Sequence, residues 1–258
     1  YFNGEKAINA QDSVTTYSAI ITTSYKEVET LYDTSSPLYG YASSNNKTEQ
    51  TMKGQAGEDI RYTLNIENNS EDTMKKLVLI DRLPYVGDKY TLTDDNRNSG
   101  FSIKYKNLEN IKFYKYNSDT KQETEMLLTN GTDYKVEFSN EKQNSFNSES
   151  SDWIGGSQVA SWHEGFQDGD VNIRITFSEN LYINPNEKMV VKLIASIPGG
   201  KEIENSGEDH ISWNNFGYCY TAVKYEDNSQ VISDDIVAES SKVGVWVEEQ
   251  LTKLKFTK

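Results

Sequence analysis

Residues 57–88 read GEDIRYTLNIENNSEDTMKKLVLIDRLPYVGD. Ile60, Tyr62, Leu64 and Ile66 alternate with Arg61, Thr63, Asn65 and Glu67, the period of two that marks a half-buried strand. Asn68, Asn69, Ser70, Glu71 and Asp72 follow, a polar connection with turn chemistry. Leu77, Val78, Leu79 and Ile80 then form a short apolar run that ends on Asp81. An acid in that place is either exposed at the end of its strand or held at the core edge by a partner, because a buried charge needs one.

The same signals recur on both sides. Val14, Tyr17, Ala19 and Ile21 suggest one strand, and Leu38, Tyr39 and Tyr41 another. Residues 101–116 (FSIKYKNLENIKFYKY) alternate and read as two strands; Tyr134, Val136 and Phe138 mark a further one. Residues 170–198 read as a hairpin: Val171, Ile173, Ile175 and Phe177 alternate, Asn184-Pro185-Asn186-Glu187 turns the chain, and residues 189–197 return. Residues 211–224 and 242–247 supply the last strands. No stretch sustains a 3.6-residue period. Strands joined by polar turns without helices imply an all-β, Ig-like β-sandwich of antiparallel strands.

Composition agrees and narrows the partners. The chain has 258 residues, enough for one large domain or two small ones. Its 17 tyrosines favour strands, while proline and methionine are held to 4 each. A net charge of -14 argues against nucleic acid and against anionic lipid. No segment approaches the length of a transmembrane helix, so no membrane insertion is expected. With one cysteine, Cys219, no internal disulfide can form.

Two pieces carry a family resemblance. YTLNIEN followed by a polar turn and LVLIDRLP resembles the collagen-adhesin-type, isopeptide-forming domains of Gram-positive surface proteins. ENSGEDHISWNNFGYCYT (residues 204–221) with AESSKVGVWVEE (238–249) resembles the closing strands of such domains. The resemblance implies an extracellular, wall-anchored adhesin or pilus module that serves as a stalk or presents a ligand. Its partners would be neighbouring modules of the same chain and a host matrix protein or glycan. It implies no cofactor and no enzymatic turnover.

It also implies a chemistry, an intramolecular bond between a lysine amine and an asparagine side chain, assisted by a carboxylic acid. Burial lowers the lysine pKa and so supplies a neutral nucleophile. Burial also keeps the acid protonated, able to polarise the carbonyl. By position, Asp81 matches the acid and Asn205 the asparagine, and Lys47 or Lys53 would be the lysine, with the better spacing at Lys47.

The expected organisation is residues 47–250 as the isopeptide-type sandwich. Residues 1–46 would be the closing strands of a preceding module or an N-terminal extension, and 251–258 a linker or the start of a next module. Supporting this, Ser35–Tyr41 echoes Ser240–Trp246 at an offset of about 205 residues, which suits a tandem array; chance similarity between two Ser-rich aromatic stretches explains it as well.

The competing class is a carbohydrate- or matrix-binding module. Residues 153–170 (WIGGSQVASWHEGFQDGD) hold Trp153, Trp162 and Phe166, which form either an aromatic binding platform or a loop tucked against the sandwich. Residues 139–157, dense in Asn, Ser, Glu and Gln, read as a long exposed connection suited to variable binding. A Cys219–Gln158 thioester has its two residues in the reverse of the usual order. Asp94, Asp95 and Asn96 fit no calcium loop. His163 and His210 lack ligand spacing for zinc, so no metal site is expected.

Overall fold

The chain is seen in a computed structural model that describes residues 22–248, apart from 149, 151, 154–157, 205–209 and 227–228. Its strands, in chain order, are β1 (Thr22–Thr30), β2 (Tyr41–Ser43), β3 (Thr51–Gly54), β4 (Asp59–Asn68), β5 (Thr73–Arg82), β6 (Lys104–Asn117), β7 (Gln122–Met126), β8 (Tyr134–Ser139), β9 (Asn172–Phe177), β10 (Tyr182–Ile183), β11 (Glu187–Ser196), β12 (Ile211–Glu226), β13 (Ser229–Glu239) and β14 (Val243–Val247). Among the described residues one short helix, α1 (Gly200–Glu204), precedes β12. With about half of the chain in strands and almost none in helix, the fold is the expected all-β sandwich.

The first sheet runs β2-β1-β4-β11-β6-β7, and the second runs β3-β14-β12-β5-β9-β8 with β10 on β5 and β13 on β12. The described pairings are antiparallel except for β14 with β3, which is parallel. Each strand of residues 57–88 is found where the alternation places it, but the two do not pair. β4 lies between β1 and β11 in the first sheet, and β5 lies between β12 and β9 in the second. Their polar connection is therefore a corner between sheets. Asn68 braces it, its Nδ2 donating to the carbonyls of Asp72 at 2.8 Å and Ile183 at 2.9 Å.

The hairpin expected over 170–198 is likewise not a hairpin. β9 pairs with β5 and β8, and β11 pairs with β4 and β6. The turn around Asn186, held at φ 62°, carries the chain across the sandwich. Local alternation reports which residues are buried but not which strand they pair with. Of the residues 101–116 expected to form two strands, those from Lys104 on lie in one long strand, β6, with register shifts against β11 at Ile194 rather than a break.

The boundary expected at residues 46 and 47 falls between β2 and β3, and β1 and β2 on its N-terminal side are hydrogen-bonded into the first sheet. β1 pairs with β4 along nine residues and buries Lys26, Val28 and Thr30 on its inner face. Residues 22–46 therefore belong to this sandwich. The echoing stretches lead into β2 and β14, which lie in different sheets. Residues 1–21 and 251–258 lie outside the described residues.

Two cores result. The larger one fills the space between the sheets, with Tyr62, Leu64, Leu79, Val191, Phe216 and Val245 among its members. A smaller one covers the outer face of the second sheet and joins Val78, Ile80 and Cys219 to Phe146, Trp153 and Ala160 of the long connection. That connection was expected to be exposed throughout. Its polar composition conceals two aromatic anchors, of which Phe146 is 0% and Trp153 3% exposed.

Candidate functional site

Lys26 and Asp81 meet between the sheets. On β1 the side chains of Lys26, Val28 and Thr30 point inward and those of Glu27 and Glu29 outward, as the period of a strand requires. On β5 the same parity sends Leu79 and Asp81 inward and Val78 and Ile80 outward. Lys26 Nζ donates to Asp81 Oδ1 at 2.6 Å, with the two side chains 0% and 1% exposed. The ammonium also lies 4.6 Å from the centroid of the Tyr62 ring. Tyr105 closes another side, its hydroxyl donating to the Asp81 backbone carbonyl at 3.1 Å.

Burial lowers the Lys26 pKa to about 8, against the opposing pull of Asp81, while the more distant Arg97 charge adds to the lowering. The desolvation that makes a buried ammonium costly thus makes a neutral amine accessible near neutral pH. Asp81 Oδ2 has no hydrogen-bond partner among the described residues.

The register places Asn214 on the side of β12 that faces this pair. Phe216 stands opposite Asp81 in the β12–β5 register. Two residues earlier on β12, Asn214 shares the inward face of Phe216, and it is 0% exposed. The Tyr62 hydroxyl faces the Asn214 side chain without reaching good hydrogen-bond geometry. Asn214 Nδ2 has no partner among the described residues. One tyrosine ring therefore has the Lys26 amine on one side and the Asn214 amide near its hydroxyl. Amine, acid and amide come from β1, β5 and β12, so the cluster bridges both sheets.

The residues singled out in the sequence are distributed differently. Asp81 is in the cluster. Lys47 is exposed in the turn after β2. Lys53, on β3, is 55% exposed, pairs with Glu248 and stacks on Trp246. Both lie on the surface, and the acid Asp81 is paired instead with Lys26. Asn205 lies outside the described residues. Lys26 was missed because YKEVET looks like a polar edge; the usable signal was that Lys26 shares the parity of Val28.

The aromatic trio does not form one platform. Trp153 is packed into the outer core, its indole N–H donating to the carbonyls of Phe146 at 3.2 Å and Asn147 at 3.1 Å. Trp162 donates to Asp152 Oδ1 at 2.7 Å and stacks on the Arg174 guanidinium at 4.4 Å. Phe166 is 37% exposed and lies elsewhere, edge-on to Phe138 and Tyr105. It forms one wall of a groove of about 1100 Å³ with Tyr134, Val136 and Phe177. Cys219 is buried, and burial pushes its thiol up to about 12, while Gln158 is exposed.

No family model matches the chain, and no curated protein does. Among solved structures, it is similar to a variant of BcpA, the major pilin subunit of Bacillus cereus, at 11% identity and a TM-score of 0.39, covering 88% of this chain and 40% of that one. The chain thus spans less than half the length of that pilin. It is also similar to the family 3a carbohydrate-binding module from the CipA scaffolding of Clostridium thermocellum, at 11% identity and a TM-score of 0.28, covering 86% and 99% of the two chains. A third likeness is to AvmM, which catalyses macrocyclization in alchivemycin A biosynthesis, at 10% identity and a TM-score of 0.23, covering 75% and 83%. Among the described residues, no helix is long and apolar enough to cross a membrane.

Proposed function

We propose that this chain is a module of a Gram-positive surface adhesin or pilus protein, and that its sandwich locks itself with an amide bond between Lys26 and Asn214. The observation that carries this reading is the fully buried Lys26–Asp81 pair together with Asn214, which lies two positions along the inward face of β12 from the residue opposite Asp81 and whose Nδ2 has no partner among the described residues. A buried ion pair is weak evidence of stabilisation, since two apolar side chains of similar size usually serve as well. A buried lysine with a lowered pKa next to an acid and a carboxamide is, by contrast, a reactive arrangement.

The chemistry balances without a co-reactant. Lys26 passes a proton to Asp81, and the freed Nζ lone pair attacks Cγ of Asn214. The bond from Cγ to Nδ2 breaks as Asp81 gives its proton to the departing nitrogen; Nζ sheds its second proton through Asp81 as it becomes the amide, and that proton leaves with the ammonia as ammonium. One amine and one carboxamide become one secondary amide. Asp81 ends unchanged, but each chain reacts once, so the protein is a self-crosslinker and not an enzyme with turnover.

The product ties β1 of the first sheet to β12 of the second. A covalent link closing most of the chain restricts the unfolded state in the manner of a disulfide, by about 5 kcal/mol in the chain-entropy model. That suits a stalk under load that has a single cysteine and therefore no internal disulfide. The test is the intact mass of the denatured chain, followed by peptide mapping. A mass short by one ammonia with Lys26 and Asn214 in one branched peptide supports the reading, and the full sequence mass overturns it.

The ligand-presenting role has a separate location. Trp153 is buried, so a glycan or matrix partner would be met at the Phe166 groove, where Tyr134 and Phe166 line an open surface. Phe166→Ala reducing binding to a glycan or collagen array, with the fold intact, would support that role; unchanged binding would refute it.

A further inference from the structure

Arg97 sits in the connection between β5 and β6 and is 0% exposed. Its charge is compensated by Asp88, with Nη2 2.7 Å from the carboxylate and both side chains 0% exposed. Nη1 donates to Asn214 Oδ1 at 3.2 Å, to Asn215 Oδ1 at 3.1 Å and to the Arg82 carbonyl at 2.8 Å. Nη2 also donates to the Leu83 carbonyl at 3.2 Å. A guanidinium has donors only. The oxygen of Asn214 must therefore face Arg97, and this leaves Nδ2 as the end without a partner.

We infer that Arg97 is a catalytic residue of the crosslinking step, the group that polarises the Asn214 carbonyl and holds its oxygen when negative charge develops there. This inference rests on the Lys26–Asn214 bond proposed above. Amide attack places charge on the carbonyl oxygen, and a donor already aimed at that atom in a dry site stabilises the transition state more than the ground state. Asp81 is then released from activating the carbonyl and serves as proton carrier, for which its contact with Lys26 Nζ equips it. The division of labour follows the geometry. Arg97 grips the oxygen, nothing among the described residues grips the leaving nitrogen, and the acid stands beside the nucleophile.

Arg97 also ties its loop to β12, so a purely architectural role predicts the same contacts but not the same kinetics. Wild-type chain and Arg97→Lys are each produced as insoluble, unfolded material dissolved in denaturant, so that neither has yet crosslinked; they are then refolded, and the loss of ammonia is followed by intact mass over time. Arg97→Lys keeps a charge but loses the fork, and its crosslinking should slow by about 100-fold or more, the effect of removing an oxyanion donor. Equal rates would overturn the role of Arg97 while leaving the bond itself standing. A wild type that keeps its full mass would remove the bond and this inference together.

Asn214→Asp provides a second arm that does not depend on the folding of an Arg97 variant. The guanidinium beside it should hold the new carboxylate ionised and unreactive, so the variant should keep its full mass at neutral pH. Loss of one water from Asn214→Asp at a rate close to that of the wild type would overturn the inference.

Discussion

Lys26 Nζ on β1 lies 2.6 Å from Asp81 Oδ1 on β5, and this contact joins the two sheets through the middle of the apolar core. It places a lysine and a carboxylate, the most strongly hydrated side chains, where water does not reach. Each is tolerated because the other is present, and the first prediction follows from that dependence.

Lys26→Met leaves Asp81 buried without its charge partner, and breaking such a pair costs about 3–5 kcal/mol. Lys26→Met combined with Asp81→Asn removes both charges and should recover most of that loss. Urea unfolding of the uncrosslinked forms checks it, with Asn214→Ala as the common background so that no covalent bond intervenes.

The same background isolates the Lys26 titration. Its folded-state pKa is lowered to about 8 by burial, whereas an unfolded lysine titrates near 10.4. Between those values the unfolded chain holds the extra proton, so stability should rise as pH increases from about 8 to about 10.5. The contribution is absent from Asn214→Ala carrying Lys26→Met, and the difference between the two variants cancels the surface groups. A flat difference across that window would contradict the buried amine. If the Lys26–Asn214 bond forms, Lys26 in the wild type is an amide, and this pH dependence should vanish.

Asp81→Asn should fold, keep its full mass and unfold at lower denaturant than the crosslinked wild type. Loop closure contributes about 5 kcal/mol to that gap, and the buried Lys26 left without its acid adds to it. A crosslinked Asp81→Asn would show that the acid is not needed to move the proton.

Trp153 fills the outer core beneath the long connection, so Trp153→Ala should cost about 3–5 kcal/mol without a specific effect on any ligand. Gly217 approaches the same ring from below. A Cβ there would stand 2.9 Å from both Trp153 Cη2 and Thr91 Cγ2. Gly217→Ala should therefore cost about 1–3 kcal/mol by overpacking, read as a shift in the thermal midpoint.

Much of the architecture is legible locally. The strands around Ile60–Ile66, Leu77–Asp81, Tyr134–Phe138 and Val243–Val247 are marked by alternation or by apolar runs. β7 and β13 are not, because edge strands with exposed side chains carry no such contrast, and β3 is not, because its four residues bury only Met52 and Gly54. The pairing of strands escapes for a different reason. β4 with β5, and β9 with β11, look like neighbours because they follow one another, yet each pair is divided between the sheets.

The candidate site divides in the same way. The sequence by itself determined an all-β chain and an acid, Asp81, stranded at the end of a buried run, since both are written in the period of adjacent residues. Only the tertiary structure decided which lysine answers that acid. Lys26 stands 55 positions away and is flanked by Tyr25 and Glu27, and its burial depends on β1 pairing with β4. It likewise decided between Asn214 and its neighbour Asn215, because a strand alternates its faces and the β12–β5 register alone sets which one points inward. Burial of a charged group is a property of the partner it meets across the fold, and a partner that distant leaves no local trace in the chain.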